Sequence, residues 1–501
     1  MKTIKAIITS KQNLQSKYDT QFRDVEAMLG ELVKSDSNRG ITTYIIYIDD
    51  PISASNAGIT AVTSVTRQSA KQSVDDVFKK LKPAYIVLFG SQDIFPFQEI
   101  DNPCNDDDGK IIPSDLPYAC DSAYNKDISS FIGPTRVVGR IPDIPGVADL
   151  SYLKIIFEAI ISYKKVKPEK LMDYFSVTAE VWKKSTQMSL NNIFGNSSSL
   201  KNSPSQNSPH SATDLKPLTH FYNCHGSSID SKFYGQNGNN YPTAQYSADL
   251  VGKISKGTVV AAECCFGAEV FDPSNEGTHN ISIASAYFKN EAIAFMGSST
   301  IAYGPSSGNS LADLITQYFM KNVINGASTG RALLEARQKF LSVTGPHLDP
   351  YELKTLAQFY LLGDPSIQVA VDAKLDSVST VENRRLNLFN KGLNLADTLA
   401  PSKEIKIVQP KLKDKKTLDD ELKKIFDQTG FTGEEKEIVY EVEPKNKKVN
   451  AFAKGFSGTE SIIYRVFIQK PQKTNSFSIF NVLVLKENGD KMLGWKLYHR
   501  K

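Results

Sequence analysis

His225 and Cys265 stand in settings suited to nucleophilic chemistry. Each follows a short apolar run and has glycine close behind: Phe221-Tyr222-Asn223-Cys224-His225-Gly226-Ser227 and Val259-Val260-Ala261-Ala262-Glu263-Cys264-Cys265-Phe266-Gly267. A free thiol ionises near pH 8.5, so only a few per cent is thiolate at neutrality unless a cation or an open helix end assists it. Imidazole, titrating near 6.5, exchanges protons at that pH and can protonate a leaving amine. Glycine after the histidine lets a carbonyl approach the backbone, where N–H groups can hold an oxyanion. A lone cysteine or histidine is more often a buried structural group. Two strand ends of the same construction, about 40 residues apart, favour the reactive reading, because strands adjacent in sequence tend to be adjacent in space.

The elements that must hold these tips alternate in character. Ile4–Thr9, Thr43–Ile48 and Tyr85–Gly90 are apolar, strand-like runs, with helical spacing over Tyr18–Lys34, Ser73–Leu81 and residues 150–164. Phe175–Thr178, Thr219–Asn223, Thr258–Ala262 and Ala292–Gly297 continue the pattern, with helices expected at about 281–288, 309–323 and 329–342. Apolar strands separated by helices predict a parallel sheet covered on both faces, and ligands bind at the carboxyl ends of such strands. Asn196–Pro209, rich in Ser, Asn and Pro, is expected to be a mobile surface loop. Beyond residue 372 a charged helix near 417–427 precedes strands near 437–443, 461–469, 476–486 and 493–498, which predicts an antiparallel sheet. The expected divisions are residues 1–165, an N-terminal α/β subdomain; 166–372, a catalytic α/β subdomain; and 373–501, a basic β-rich domain of unknown role.

A hydrophobic strand ending in His-Gly, followed by one ending in (Gln/Glu)-Ala-Cys-x-Gly, resembles the signature of the caspase–legumain–gingipain clan. Glu263-Cys264-Cys265-Phe266-Gly267 is similar to the second motif, with cysteine in the alanine place. That match puts Cys265 at the nucleophile position; the other register, Cys264-x-x-Gly267, puts Cys264 there. Further ordered segments resemble the gingipain family, C25: Tyr85–Gly90 with Asp93-Ile94-Phe95-Pro96, Ser114-Asp115-Leu116-Pro117-Tyr118, Val138-Gly139-Arg140-Ile141-Pro142, Phe295-Met296-Gly297-Ser298-Ser299, and Tyr360-Leu361-Leu362-Gly363-Asp364-Pro365-Ser366. The resemblance implies a caspase-like fold of mostly parallel sheets flanked by helices in two subdomains, in a bacterial protein. It implies a thiol protease with Glu180, in Thr178-Ala179-Glu180-Val181-Trp182, orienting His225, and with the Gly226 and Cys265 amides as oxyanion donors. A surface glutamate at a loop start is the alternative for Glu180. Gingipains grip a basic P1 side chain with an acid, and around Asn191 and Ser307 this chain has polar residues instead. Asp313 is the substitute candidate, or else an ordinary N-terminal helix charge. With Ser298 and Cys264 it makes up the expected substrate pocket.

Composition narrows the classes further. Hydrophobic residues at 40% and charged residues at 23% fit a globular chain, and no run of about 18 apolar residues suggests a membrane span. Met1–Thr9 is too short for a signal segment, which predicts a cytoplasmic protein. Five cysteines, few and partly adjacent, argue against a disulfide framework and offer no zinc spacing. The net charge of +4 is uneven: residues 373–501 hold 25 Lys and Arg against 17 Asp and Glu, interleaved in the manner of a solvated face. Asn105-Asp106-Asp107-Asp108-Gly109 lacks the ligand spacing of a calcium loop and reads as a solvated turn. No cofactor, metal, nucleic acid or membrane partner is expected.

The expected activity is peptide-bond hydrolysis in a protein or peptide substrate through a Cys-His thioester mechanism. The rival is a catalytically weak or latent caspase-like scaffold, activated by cleavage (within Asn196–Pro209, for instance) or by a protein partner bound through the C-terminal domain.

Overall fold

In the computed structural model, residues 3–106, 108–345, 347–371, 405–407, 416–442, 462–489 and 491–501 are described. Alternating burial builds the first half. Ile7, Val87 and Phe89 face one side of their strands and pack with Val25, Leu29 and Leu32 of the helix Phe22–Asn38 and with Leu153 and Ile156 of Leu150–Ser162. Ala6, Ile8, Ile86 and Leu88 face the other side and pack with Val74 and Val77 of Arg67–Leu81. The period of two along each strand is what lets one strand serve two cores.

The strands of both halves join in one ten-stranded sheet. From edge to edge it runs Ile41–Tyr47, Thr3–Thr9, Tyr85–Phe89, Val138–Ile141, Phe359–Gly363, Ala294–Ser298, Val259–Ala262, Thr219–Asn223, Tyr174–Ala179 and Leu200–Ser203. All pairings are parallel except Phe359–Gly363 against Ala294–Ser298. This is the helix-flanked, mostly parallel α/β architecture expected, with its two halves fused along the Val138–Ile141 and Phe359–Gly363 seam. The stretch Asn196–Pro209 departs from expectation: Leu200–Ser203 adds the edge strand beside Tyr174–Ala179, and Ser203 is buried. A polar edge strand has one free side, so its composition does not betray it.

The described part of the C-terminal region forms the helix Lys416–Thr429 and antiparallel strands Ile405–Ile407, Lys436–Val442, Ile462–Ile468, Asn481–Asn488 and Lys491–Arg500. Residues 443 and 461 of the expected strands lie outside the described residues. Its sheet is completed by Tyr303–Gly304, which follows the Ala294–Ser298 strand of the large sheet and pairs antiparallel with the Lys491–Arg500 strand.

Buried charge fastens the seam. Arg140 is fully buried and donates to both Asp115 carboxylate oxygens at 3.0 and 2.6 Å and to the Gly90 and Phe95 carbonyls at 2.7 Å each. Replacing Arg140 with methionine strands a buried carboxylate and two carbonyls, so urea unfolding should show a loss of about 3–5 kcal/mol. A loss below about 1 kcal/mol would contradict this role for Arg140.

Candidate active site

Register brings the two reactive tips together. Thr219–Asn223 and Val259–Ala262 pair in parallel, Thr219 with Val259 and Tyr222 with Ala262, and Glu263 N–H donates to the Tyr222 carbonyl at 2.9 Å. Carried past the last pair, the same register sets Asn223 beside Glu263 and His225 beside Cys265. The two tips touch: a Cβ placed on Gly226 would fall 1.8 Å from the Cys265 carbonyl oxygen, so only glycine fits there. Phe266, next to Cys265, takes a left-handed φ of 52° and donates its N–H to the Thr300 carbonyl at 2.9 Å, turning the chain sharply off the strand end.

The adjacent cysteines face different surroundings. Cys264 packs towards Cys224 in the core, and its carbonyl accepts from the Ser298 hydroxyl at 2.8 Å. Cys265 Sγ lies 3.3 Å from the donating Ala302 N–H and against the Lys501 carbonyl oxygen. All five cysteines are free. Burial pushes the Cys265 thiol up, although Arg500 pulls the other way.

His225 is held by Gln236. Its Nε2 lies 2.8 Å from Gln236 Oε1, while the Gln236 amide nitrogen points to the Gly238 carbonyl and the Tyr241 hydroxyl. An oxygen facing Nε2 makes that nitrogen the protonated one, which leaves Nδ1 as the basic lone pair. Nδ1 is buried and has no hydrogen-bond partner among the described residues. Trp182 packs edge-on to the imidazole at 4.4 Å between ring centres, and Phe477 stacks on it at 4.7 Å. Burial lowers the His225 pKa to about 3, although the Gln236 hydrogen bond pulls the other way.

The structure does not bring Glu180 to the imidazole. Glu180 is exposed, its carboxylate accepts from Asn237 Nδ2 at 2.7 Å, and its N–H donates to the Gln236 carbonyl at 3.1 Å. What its segment delivers to His225 is the Trp182 ring. Gln236 lay in a stretch without any local signal, so sequence reasoning missed it.

A buried acidic pocket lies beside Cys265. The Lys501 ammonium, wholly buried, donates to Asn223 Oδ1 at 3.0 Å, Glu263 Oε2 at 2.5 Å and Asp313 Oδ1 at 2.6 Å. Thr316 Oγ1 holds the other Glu263 oxygen at 3.2 Å. Gly304 forms one wall, since a Cβ there would fall 2.1 Å from Lys501 Cε. Burial, reinforced by Asp313, raises the Glu263 pKa well above the usual carboxylate range. Burial alone would lower the Lys501 pKa, but Asp313 and Glu263 raise it. Of the expected pocket residues, Asp313 meets this ammonium. Ser298 and Cys264 stand behind the cysteine loop, and Asn191 and Ser307 are exposed. Glu263 and Asn223 were legible only as polar residues closing apolar strands.

Asp106 and Asp108 support the pocket's rim. Buried Lys354 donates to Asp106 and Asp108 at 2.7 Å each, Tyr303 OH donates to Asp106 at 2.6 Å, and Ile301 N–H donates to Asp108 at 2.9 Å. The expected solvated turn is therefore an anchored one, in which a lysine ammonium satisfies the acids and fixes residues 301–304.

Comparison with known families matches residues 5–370 to peptidase family C25. The chain belongs to peptidase family C25. It is thus a cysteine peptidase, a hydrolase acting on protein or peptide substrates. No curated protein matches it. It is similar to a solved structure titled "Structure of Protease" over 99% of this chain and 97% of that one, at 11% identity and a TM-score of 0.47, a likeness too distant to bear on the site. In this C25 chain no helix among the described residues is long and apolar enough to cross a membrane.

Two buried imidazoles give a stability signature. His220, which lies 2.6 Å from the Tyr287 hydroxyl, is also lowered by burial to about 3, as His225 is. Both titrate near 6.5 when unfolded, so the unfolded chain holds more protons between those values. Their contribution is full above pH 6.5 and lost as pH falls towards 3, by up to about 1.4 kcal/mol per pH unit for each group. The urea midpoint should drop between pH 6.5 and 4, and more shallowly in His225→Gln. An unchanged slope in that variant would show that His225 is not held neutral.

Proposed function

We propose that this C25 peptidase is an endopeptidase that cuts after lysine, with Cys265 as nucleophile, His225 as proton carrier and Gln236 as positioning residue. The observation that carries the reading is a peptide segment paired along the cleft's edge, with its lysine side chain in the pocket. Residues 499 and 500 pair antiparallel with Gly304 and Tyr303, Lys501 N–H donates to the Ala302 carbonyl at 3.0 Å, and the Lys501 carbonyl oxygen meets Cys265 Sγ. Edge-strand addition of this kind supplies affinity through main-chain hydrogen bonds and leaves specificity to a side-chain pocket. Here the pocket offers three acceptors, which match the three N–H donors of an ammonium.

The chemistry follows from the placement. The Cys265 proton passes to His225 Nδ1 as sulfur attacks the carbonyl carbon. The C–N bond then breaks, and the imidazolium gives its proton to the departing amine, leaving a thioester. Water, deprotonated by His225, attacks the thioester and releases the carboxylate and the Cys265 sulfur. The Gly226 and Cys265 amides are assigned to the oxyanion. Residues 1–165 and 166–372 are assigned as the two halves of the peptidase, with described residues of 373–501 covering the cleft.

A lysyl acyloxymethyl ketone, incubated to completion, tests the roles. The adduct should map by mass spectrometry to Cys265, vanish in Cys265→Ala and persist in Cys264→Ala. Labelling at Cys264 would reverse the register, and no adduct at either cysteine would favour the scaffold reading.

A further inference from the structure

The segment in the cleft is this chain's own. Its strand, Lys491–Arg500, is built into the C-terminal sheet beside Asn481–Asn488, and Tyr498 OH reaches Asp349 at 3.1 Å. From there residues 499–501 run across the rim, and separate contacts close separate parts of the site. The Lys501 ammonium fills the acidic pocket, and its carbonyl oxygen covers the Cys265 sulfur. Phe477 lies flat on His225, 25° from coplanar, and Ser227 Oγ donates to the Ser476 carbonyl at 2.5 Å. The Arg500 guanidinium donates to the Ser478 carbonyl, tying the two covering segments together. A substrate needs the same edge, pocket and sulfur, so it and this segment exclude one another.

Resting on the assignment of Cys265 and His225 as the reacting pair, we infer that residues 498–501, with Phe477, form an intramolecular competitor that keeps the peptidase latent until the segment is withdrawn. Cover and chemistry are coupled: burial is the leading cause both of the raised Cys265 thiol and of the lowered His225 imidazole, so the covered pair is held as neutral thiol and neutral ring. Withdrawal readmits water and moves both groups back towards thiolate and imidazolium. Activation therefore amounts to competition for the rim at residues 302–304, by any event that draws the Lys491–Arg500 strand away. This differs from activation by cutting Asn196–Pro209, whose Leu200–Ser203 stretch is a paired strand.

The test uses the full chain in three forms: parent, Lys501→Glu, which sets an acid against Glu263 and Asp313, and Phe477→Ser, which uncovers the imidazole. Two rates are read at Cys265 by peptide mass spectrometry: reaction with the lysyl ketone, and alkylation by iodoacetamide, with buried Cys104 and Cys120 as internal controls for unfolding. Both rates should rise at least about tenfold in Lys501→Glu, corresponding to about 1.4 kcal/mol, and should also rise in Phe477→Ser. If Lys501→Glu does not fold, as shown by alkylation of the control cysteines, Phe477→Ser decides. A parent that reacts with the ketone as fast as the variants overturns latency and leaves the peptidase reading standing. Faster alkylation in the variants without any ketone adduct upholds the cover and overturns the assignment of the reacting pair.

Discussion

The parallel pairing of Thr219–Asn223 with Val259–Ala262 governs everything that happens at the cleft. Its register sets Asn223 beside Glu263 and His225 beside Cys265, so that one alignment builds both the buried acidic pocket and the proposed reacting pair. A slip of one residue would send each of these side chains to the opposite face of the sheet. Close packing opposes the slip, because Phe221, Val259 and Ala261 are fully buried and a shift would force each into a space shaped for its neighbour. The contact of Gly226 with the Cys265 carbonyl then locks the two tips at a spacing that no larger residue could reproduce.

Around that pairing, the fold spends its buried cations on loops. Arg140 gathers Asp115 and two carbonyls at the seam, Lys5 meets Asp364 at 2.7 Å, and Lys354 gathers Asp106 and Asp108 behind residues 301–304. A buried ion pair gives little net stability, but breaking one strands a charge, so such pairs define a geometry sharply. Lys501 is of the same kind, with one difference. Its partners line the pocket proposed to take a substrate's lysine, and it arrives from a strand edge.

Much of this was legible in the residues. The seven strand runs of the first two regions and their intervening helices follow from β-branched runs and helical spacing, and the His-Gly and Cys-x-Gly tips stand out as reactive groups ending apolar strands. Less was legible wherever a contact joins distant residues without a local pattern. Gln236 reaches His225 from the short strand-and-turn segment after it, while the carboxylate of Glu180, in the place the family resemblance indicated, turns outward to Asn237. Lys501 looks like one more residue of a basic tail, and its place beside Glu263 and Asp313 exists only once the C-terminal sheet has borrowed Tyr303–Gly304. Asp106 and Asp108 read as solvated because the lysine that neutralises them lies nearly 250 residues away in the chain.

The central claim is that Cys265 and His225 act as one unit, and non-additivity of their loss tests it most directly. In the Lys501→Glu background, kcat/KM on a lysyl peptide would be measured for Cys265→Ala, His225→Ala and the double variant. Groups acting as a unit predict a double variant about as impaired as the worse single one. Losses that multiply, or activity that survives Cys265→Ala and disappears with Cys264→Ala, would contradict the account.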